Sequence, residues 1–360
     1  MGILDTIINT KQSESMQKFR PLEIVDEILS GLKERDRQIL AHRFGLNNKE
    51  TKTLAAIGQD QNLTRERVRQ IEKDLIKNLK KHSAKFPNFG TAKEFLLNII
   101  SEHGRIIAEE NLLIYLNIKD HQEKNAIIFL LHLVEELDNF IHENYKKNWV
   151  MVLFNNSLLH NFAAESKKII TGKNSPLPAE SFLEHFKQTE FYQKNKEDLS
   201  DKIILNFLEL TVEIEKNVFG EYGLSGWKEI NPKDVGDKAY LVMKYHKKPE
   251  HYNTITEMIN QAKFDNKTAY KETVHNELIK DNRFVLIGRG IYALTEWGYK
   301  PGVVADVIRE ILAKHANPTT KEQIMDEVLK LRRVKRNTIS VGLSNKKLFK
   351  KVGKNLYTLY

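Results

Sequence analysis

The stretch Leu63-Thr64-Arg65-Glu66-Arg67-Val68-Arg69-Gln70-Ile71-Glu72 decides how the rest of the chain is read. Thr64 is a good helix N-cap and Arg65 follows it directly. Val68, Ile71, Leu75 and Leu79 recur at helical spacing, which predicts a face turned to a core. Arg65, Arg69 and Lys73 fall on another face, beside Glu66 and Gln70. An arginine fork fits the acceptor edge of guanine, glutamine pairs with adenine, and glutamate accepts from cytosine. Those residue types near a helix start suit a major groove. On a purely solvated face they would form ordinary helical ion pairs instead, and composition alone does not separate the two.

Working outward, Thr53-Leu54-Ala55-Ala56-Ile57-Gly58 predicts a short helix upstream. The tract Gln59-Asp60-Gln61-Asn62 then leads into the second helix. Short helix, tight turn and longer helix is the order of a helix-turn-helix. Before it, residues 32–40 predict another amphipathic helix, and Arg43-Phe44-Gly45-Leu46 ends it at a glycine.

This run of about 50 residues resembles region four of bacterial housekeeping sigma factors, which reads the −35 promoter element. The matching signatures are Arg43-Phe44-Gly45-Leu46, Thr53-Leu54 with Ile57-Gly58, and the ordered run from Thr64 to Glu72. The resemblance implies base contacts from Arg65, Glu66 and Gln70, and phosphate or mixed contacts from Arg67, Arg69 and Lys73. It implies backbone-contacting or positioning roles for Arg35, Arg43, Thr53 and Leu54. Ala55-Ala56 stands where the family usually carries acidic residues, which bears on promoter preference rather than on fold. A helix-turn-helix can also bind protein.

The chain has 360 residues, enough for two to five units. Hydrophobic residues make up 41% and charged residues 29%, so globular units are expected rather than wholesale disorder. With no cysteine, disulfides, thiolate zinc fingers and cysteine nucleophiles are excluded. No apolar run reaches the length of a membrane span and the start lacks a basic signal-peptide opening, so a cytoplasmic protein without membrane contact is expected. The net charge of +9 is unevenly spread. Residues 1–89 carry 17 basic and 12 acidic side chains (+5), residues 90–300 carry 27 and 31 (−4), and residues 301–360 carry 13 and 5 (+8). Both ends are therefore candidates for nucleic-acid contact, and the middle is not an obvious phosphate surface.

After the head, helices followed by two short alternating or aromatic segments recur every 60–75 residues or so, the order of a winged helix. The fold class predicted is mainly α: a helix-turn-helix at 1–89, then tandem winged-helix units at 90–154, 155–233, 234–299 and 300–360. In the first unit, helices are expected at 93–101, 109–116 and 123–137, with strands at 139–143 and 149–152. The third of those helices is very apolar, which argues for burial. In the second, helices are expected near 157–170, 178–187 and 198–210, a strand at 211–216, a turn at 219–224, and a loop at 172–176. The third expects helices at 239–245, 254–262 and 270–280 and a hairpin over 284–294, with Gly288 and Gly290 at its turn.

This third unit resembles the HARE-type winged helix, also found in the delta subunit of bacterial RNA polymerase. The carrying residues are Thr273-Val274-His275-Asn276-Glu277-Leu278, the Phe284 strand, and Gly288-Arg289-Gly290-Ile291-Tyr292-Ala293-Leu294 with Trp297. That family occurs in transcription and in proteins tied to DNA modification or restriction. In the fourth unit, helices are expected at 303–315, 320–331 and 337–344, with a hairpin over 348–359. Lys335, Arg336, Asn337 and Thr338 sit where a recognition helix would begin, and Lys350, Lys351 and Lys354 sit on the wing, as candidates for DNA-backbone contact.

Catalytic patterns are not found. Gly288-Arg289-Gly290 lacks the next glycine and helix of a phosphate loop. Pro232, Asp234, Asp237 and Lys238 lack the acidic-x-Lys spacing of a metal nuclease. His246, His251 and His275 lack ligand spacing, so neither metal nor cofactor is expected. The sequence points to a bacterial DNA-binding transcription protein, with promoter-like duplex DNA and RNA polymerase as partners and no enzymatic activity. Only about 30 residues precede the head, so opening of a promoter by this chain alone is not expected. The alternative is a non-catalytic recognition subunit of a DNA modification or defence system.

Overall fold

The computed structural model describes residues 19–82, 85–299, 302–315, 317–332 and 334–360. The chain divides within a hairpin into two compact units, one spanning residues 19–215 with 222–225 and the other 216–221 with 226–360.

The first unit opens with four helices: α1 (Pro21–Ser30), α2 (Glu34–Phe44), α3 (Leu54–Asp60) and α4 (Arg65–Lys81). Gly45 ends α2 with φ +67, and a Cβ there would lie 2.6 Å from both Asn125 Nδ2 and Thr51 Oγ1. A side chain at this position is thus opposed by conformation and by space. Next come α5 (Pro87–Glu102), β1 (Ile106–Ala108), α6 (Glu109–Tyr115), α7 (His121–Leu133), β2 (Leu137–Asp138) and β3 (Asn148–Met151). The sequence α8 (Asn156–Lys173), β4 (Leu177–Pro178), α9 (Ala179–Lys187), α10 (Glu190–Asn195), α11 (Asp201–Leu210), β5 (Ile214–Lys216) and β6 (Glu221–Leu224) follows.

The second unit contains α12 (Val235–His246), β7 (Glu250–His251), α13 (Tyr252–Ala262), α14 (Lys271–Lys280), β8 (Phe284–Gly288) and β9 (Ile291–Leu294). After it come α15 (Val304–Lys314), β10 (Thr319–Thr320), α16 (Lys321–Leu331), α17 (Arg336–Leu343), β11 (Phe349–Gly353) and β12 (Leu356–Leu359). Thus helix, short strand, two further helices and a hairpin recur four times among the described residues, with α10 added in the second repeat. Each repeat has a three-stranded sheet in which the last strand lies between the other two: β1-β3-β2, β4-β6-β5, β7-β9-β8 and β10-β12-β11. The first strand of each repeat has two or three residues, too short for an alternation signal.

Four local expectations are corrected. Residues 139–143 are not a strand; β2 is Leu137–Asp138, paired with Val150 and Met151. The Asn148 side chain accepts from the Phe140 amide (3.3 Å) and donates to the Phe140 carbonyl (2.9 Å), which removes that backbone from a ladder. The helix expected to reach residue 137 stops at Leu133, where Val134 turns extended. In the second repeat the strand starts at Ile214 rather than Thr211, because Val212 donates to the Asn144 carbonyl and Thr211 bridges to Tyr145. The loop expected over 172–176 is shorter, since α8 continues to Lys173 and ends at Asn174 in the left-handed region.

One core joins the head to the first repeat. Ile24, Ile28, Leu40 and Leu79 share it with Phe89, Leu96, Phe129, Leu130 and Trp149. The apolar helix α7 lies at its centre, with Ala126, Ile127, Phe129, Leu130, Leu131 and Leu133 all buried. Phe44 stacks edge-on against Phe129, and against His132, whose ring packs on Trp149. Burial holds the His132 imidazole below the usual histidine range. Asn125 of α7 donates to the Gly45 carbonyl (3.0 Å), and the Asn48 amide donates to Gln122 (2.9 Å). In the second unit, each repeat has its own apolar centre, around Val242, Ile255, Leu278 and Tyr292 in one and Ile308, Ile324, Ile339 and Phe349 in the other.

Candidate nucleic-acid interface

The helices α3 and α4 pack through Ile57, Val68 and Ile71 against Ile39, with Leu54, Leu63 and Leu75 partly buried around them. Both helices are capped as their sequences suggest: Thr53 Oγ1 accepts from the Ala56 amide and Thr64 Oγ1 from the Arg67 amide, each at 3.2 Å. The turn between them is tight. Asn62 sits at φ +54, and a Cβ on Gly58 would come 2.6 Å from the Leu63 carbonyl oxygen. That close approach explains the glycine of the Ile57-Gly58 signature, whose reason is invisible in the sequence.

The turn aims the exposed face of α4 outward. Arg65, Glu66, Arg67, Arg69, Gln70 and Lys73 are all exposed. Several are already engaged. Arg69 forks onto Glu66 at 2.6 and 2.9 Å, and Arg67 reaches Gln70 at 3.3 Å. The Arg69 guanidinium holds the Glu66 carboxyl below the usual glutamate range, and Glu66 raises Arg69 in return. At the surface this pair adds little to stability, so its main effect is to fix where the two side chains point. Arg65 and Lys73 make no hydrogen bond or ion pair among the described residues. The face therefore offers a donor fork, an acceptor and an amide along one helix edge, which is the inventory for hydrogen-bonding base edges.

The remaining predicted head residues divide by role. Arg43 pairs with Glu72 at 3.1 Å, tying α2 to α4. Glu72 belongs to the sequence signature but carries no predicted role; its spacing on the inner edge of α4 was the available signal. Arg35 is exposed and pairs with its neighbour Asp36 at 3.1 Å. Thr53 caps α3, and Leu54 is half-buried in the core, so its position serves packing. Lys52, not singled out in the sequence, reaches Asp60 at 2.7 Å and closes α3 upon its own entry.

The helices at the corresponding third place of each repeat differ. α7 is buried on nearly every side. In α11, Asn206 donates at 2.7 Å to the carbonyls of both His103 and Ile106, so this helix is spent on joining the first two repeats. α14 exposes charges of both signs, with Lys280 facing Glu277. Only α17, of these four, begins with an exposed basic run: Lys335, Arg336, Asn337 and Thr338 are all exposed. Arg336 is paired with Asp326 of α16 at 2.9 Å. Lys350, Lys351 and Lys354 are exposed on the hairpin β11–β12. Strand alternation places Lys350 and Lys351 on opposite faces, with Lys351 on the side of buried Phe349 before the ladder shifts at Gly353. One flat surface therefore takes Lys350 and Lys351 unequally. Arg65 and Gln70 on α4 and the basic start of α17 belong to separate units.

Residues 28–81 match the Sigma-70 region 4 family. RNA polymerase sigma factor RpoS of Coxiella burnetii is 36% identical over 82 residues, which are 22% of this chain and 23% of that protein. Sigma factor RpoD of Helicobacter pylori is 46% identical over 57 residues, 16% and 8% of the two chains. Sigma factor SigA of a Nostoc species is 43% identical over 58 residues, 16% and 15%. This chain thus spans less than a quarter of the length of these curated relatives, and the likeness lies in the head. Among the described residues no helix is long and apolar enough to cross a membrane, and no group of three or more His, Asp or Glu side chains is placed to hold a metal ion.

Proposed function

We propose that this chain is a DNA-binding transcription protein, a sigma-like regulator or accessory factor that acts at promoters with RNA polymerase and carries no catalytic site of its own. The observation that carries this reading is the capped, glycine-tightened turn that presents Arg65, Glu66 and Gln70 on one edge of α4, within a segment that matches the Sigma-70 region 4 family. Arg65 and Gln70 read base edges, with Glu66 as an acceptor held in place by Arg69. Arg67, Arg69 and Lys73 add phosphate or mixed contacts.

The four repeats are tandem winged-helix units, the third of HARE type. Their element order and three-stranded sheets support that assignment. α17 and its hairpin contact the DNA backbone through Lys335, Arg336, Lys350 and Lys354. Of the other third helices, α7 is spent on the core and α11 on joining the first two repeats, and α14 exposes charges of both signs, which leaves the backbone contacts to α17.

Mapping genomic occupancy while testing for co-purified RNA polymerase decides the matter. Enrichment at promoters together with polymerase is the expected result. Enrichment away from promoters, with a methylase or nuclease co-purifying, would replace it with a recognition subunit of a modification or defence system.

A further inference from the structure

In the second unit, the turn of hairpin β8–β9 faces the start of α15 and one side of α17 across a groove of about 530 Å³. Its walls are aliphatic: Leu286, Val303 and Val341 are 48%, 66% and 70% exposed, with Ile287 and Val304 beside them. Scattered exposed aliphatics are ordinary, but several lining one groove mark a binding surface.

Arg332, which ends α16, also lines the groove and is only 5% exposed. Its guanidinium donates to the carbonyls of Leu286 and Gly302, and its buried Nε has no hydrogen-bond partner. No carboxylate touches it among the described residues. Asp306 accepts from the Val303 amide at 3.0 Å and faces Arg309 at 3.9 Å. Glu250 is taken by His246 at 3.1 Å. Burial pulls the Arg332 guanidinium below its usual value, opposed only by the charge of Asp306. Arginine nevertheless stays charged, and a buried charge without a counter-ion is costly until one is supplied.

We propose that this groove docks a protein segment that brings aliphatic side chains to its walls and one carboxylate to Arg332. The occupant is a peptide rather than nucleic acid, because a phosphate backbone would leave Leu286, Val303 and Val341 in water. The carboxylate meets the guanidinium charge where Arg332 lines the groove, and the aliphatic side chains cover the three exposed walls. This inference stands apart from DNA reading by the head.

The test uses the full chain and two fluorescein-labelled twelve-residue peptides that alternate leucine and serine around one central residue, aspartate in the first and asparagine in the second. Fluorescence anisotropy should show binding of the aspartate peptide, with the asparagine peptide about tenfold weaker, as expected for removal of a charge-assisted hydrogen bond. Val341→Asp and Leu286→Asp, both at exposed sites, should abolish binding while leaving the melting temperature unchanged. Arg332→Gln should erase the difference between the peptides. The proposal is overturned if the aspartate peptide fails to bind at millimolar concentration, if both peptides bind equally, or if Val341→Asp binds as the unaltered chain does. Displacement of the peptide by duplex DNA in a chain carrying Lys335→Ala, Arg336→Ala, Lys350→Ala and Lys354→Ala would also overturn it, by making the groove itself a nucleic-acid surface. None of these outcomes depends on sequence preference at the head.

Discussion

Helices α4 and α17 both begin with exposed cations, yet they are equipped differently. α4 interleaves its arginines with Glu66 and Gln70, and holds two of its arginines through those partners. α17 starts with Lys335 and Arg336 followed by Asn337 and Thr338, and its hairpin adds lysines alone. Mixed donors and acceptors can tell one base edge from another, whereas lysines such as those of the hairpin sense phosphate spacing and little else. The difference also extends to support. α4 rests on a core shared with the first repeat, while α17 rests on a core confined to its own repeat. On the proposed reading, one end of the chain supplies an address and the other supplies hold.

The sharpest way to break that contrast is through the support. Phe129→Ala should cost about 3–5 kcal/mol in the first unit, as for other buried aromatic truncations. Chemical unfolding followed with urea should show this, and sequence-selective binding should weaken while the salt-sensitive component survives. Equal weakening of both components would mean that the two ends are not independent.

Next in size, Arg65→Ala with Gln70→Ala should relax sequence preference by about 1–3 kcal/mol for each bidentate pairing removed. Competition between matched and scrambled duplexes measures it. An unchanged preference ends the base-reading assignment. Lys350→Ala with Lys351→Ala should weaken binding to all duplexes alike and lower the salt slope by about 0.9, the value for the one phosphate that Lys350 neutralises. No change in slope would remove the hairpin from the interface.

The smallest effect concerns pH. Burial lowers the folded-state pKa of both His132 and His103, so the unfolded chain binds more protons as pH falls below the ordinary histidine value of about 6.5. Their contribution to stability is therefore full above that value and is lost as pH falls toward the folded pKa. Ring titration by NMR should place both midpoints below 6.5, and His132→Phe should reduce the acid sensitivity of the first unit without touching the second.

The head was legible in the sequence because its constraints are local. Caps Thr53 and Thr64 and the apolar spacing of Val68 and Ile71 all act within a few residues. The four helix-and-hairpin repeats were visible for the same reason, and the exposed position of every predicted cation on α4 and α17 followed from periodicity. What escaped was set by distant partners. The strand β2 is displaced from 139–143 by a single side chain, Asn148, and the first strand of each sheet exists only because a later strand accepts it. The pairing of Arg43 with Glu72 spans 29 positions, and that of Asn125 with Gly45 spans 80. No window of sequence contains either pair.

The Asn125–Gly45 bond and the packing of Phe44 on the core of buried Phe129 and Trp149 have a consequence for direction. A lone helix-turn-helix on a flexible tether could sit on its site while the remainder of the protein swung freely. Here the helix-turn-helix shares one core with the repeat beneath it. An asymmetric site has a left and a right, and a reader fused to its body through a packed interior must carry that handedness into the first and second repeats. On the proposed reading, the first unit works as a pointer: the sequence beneath α4 sets its location and also the way along the duplex that it faces.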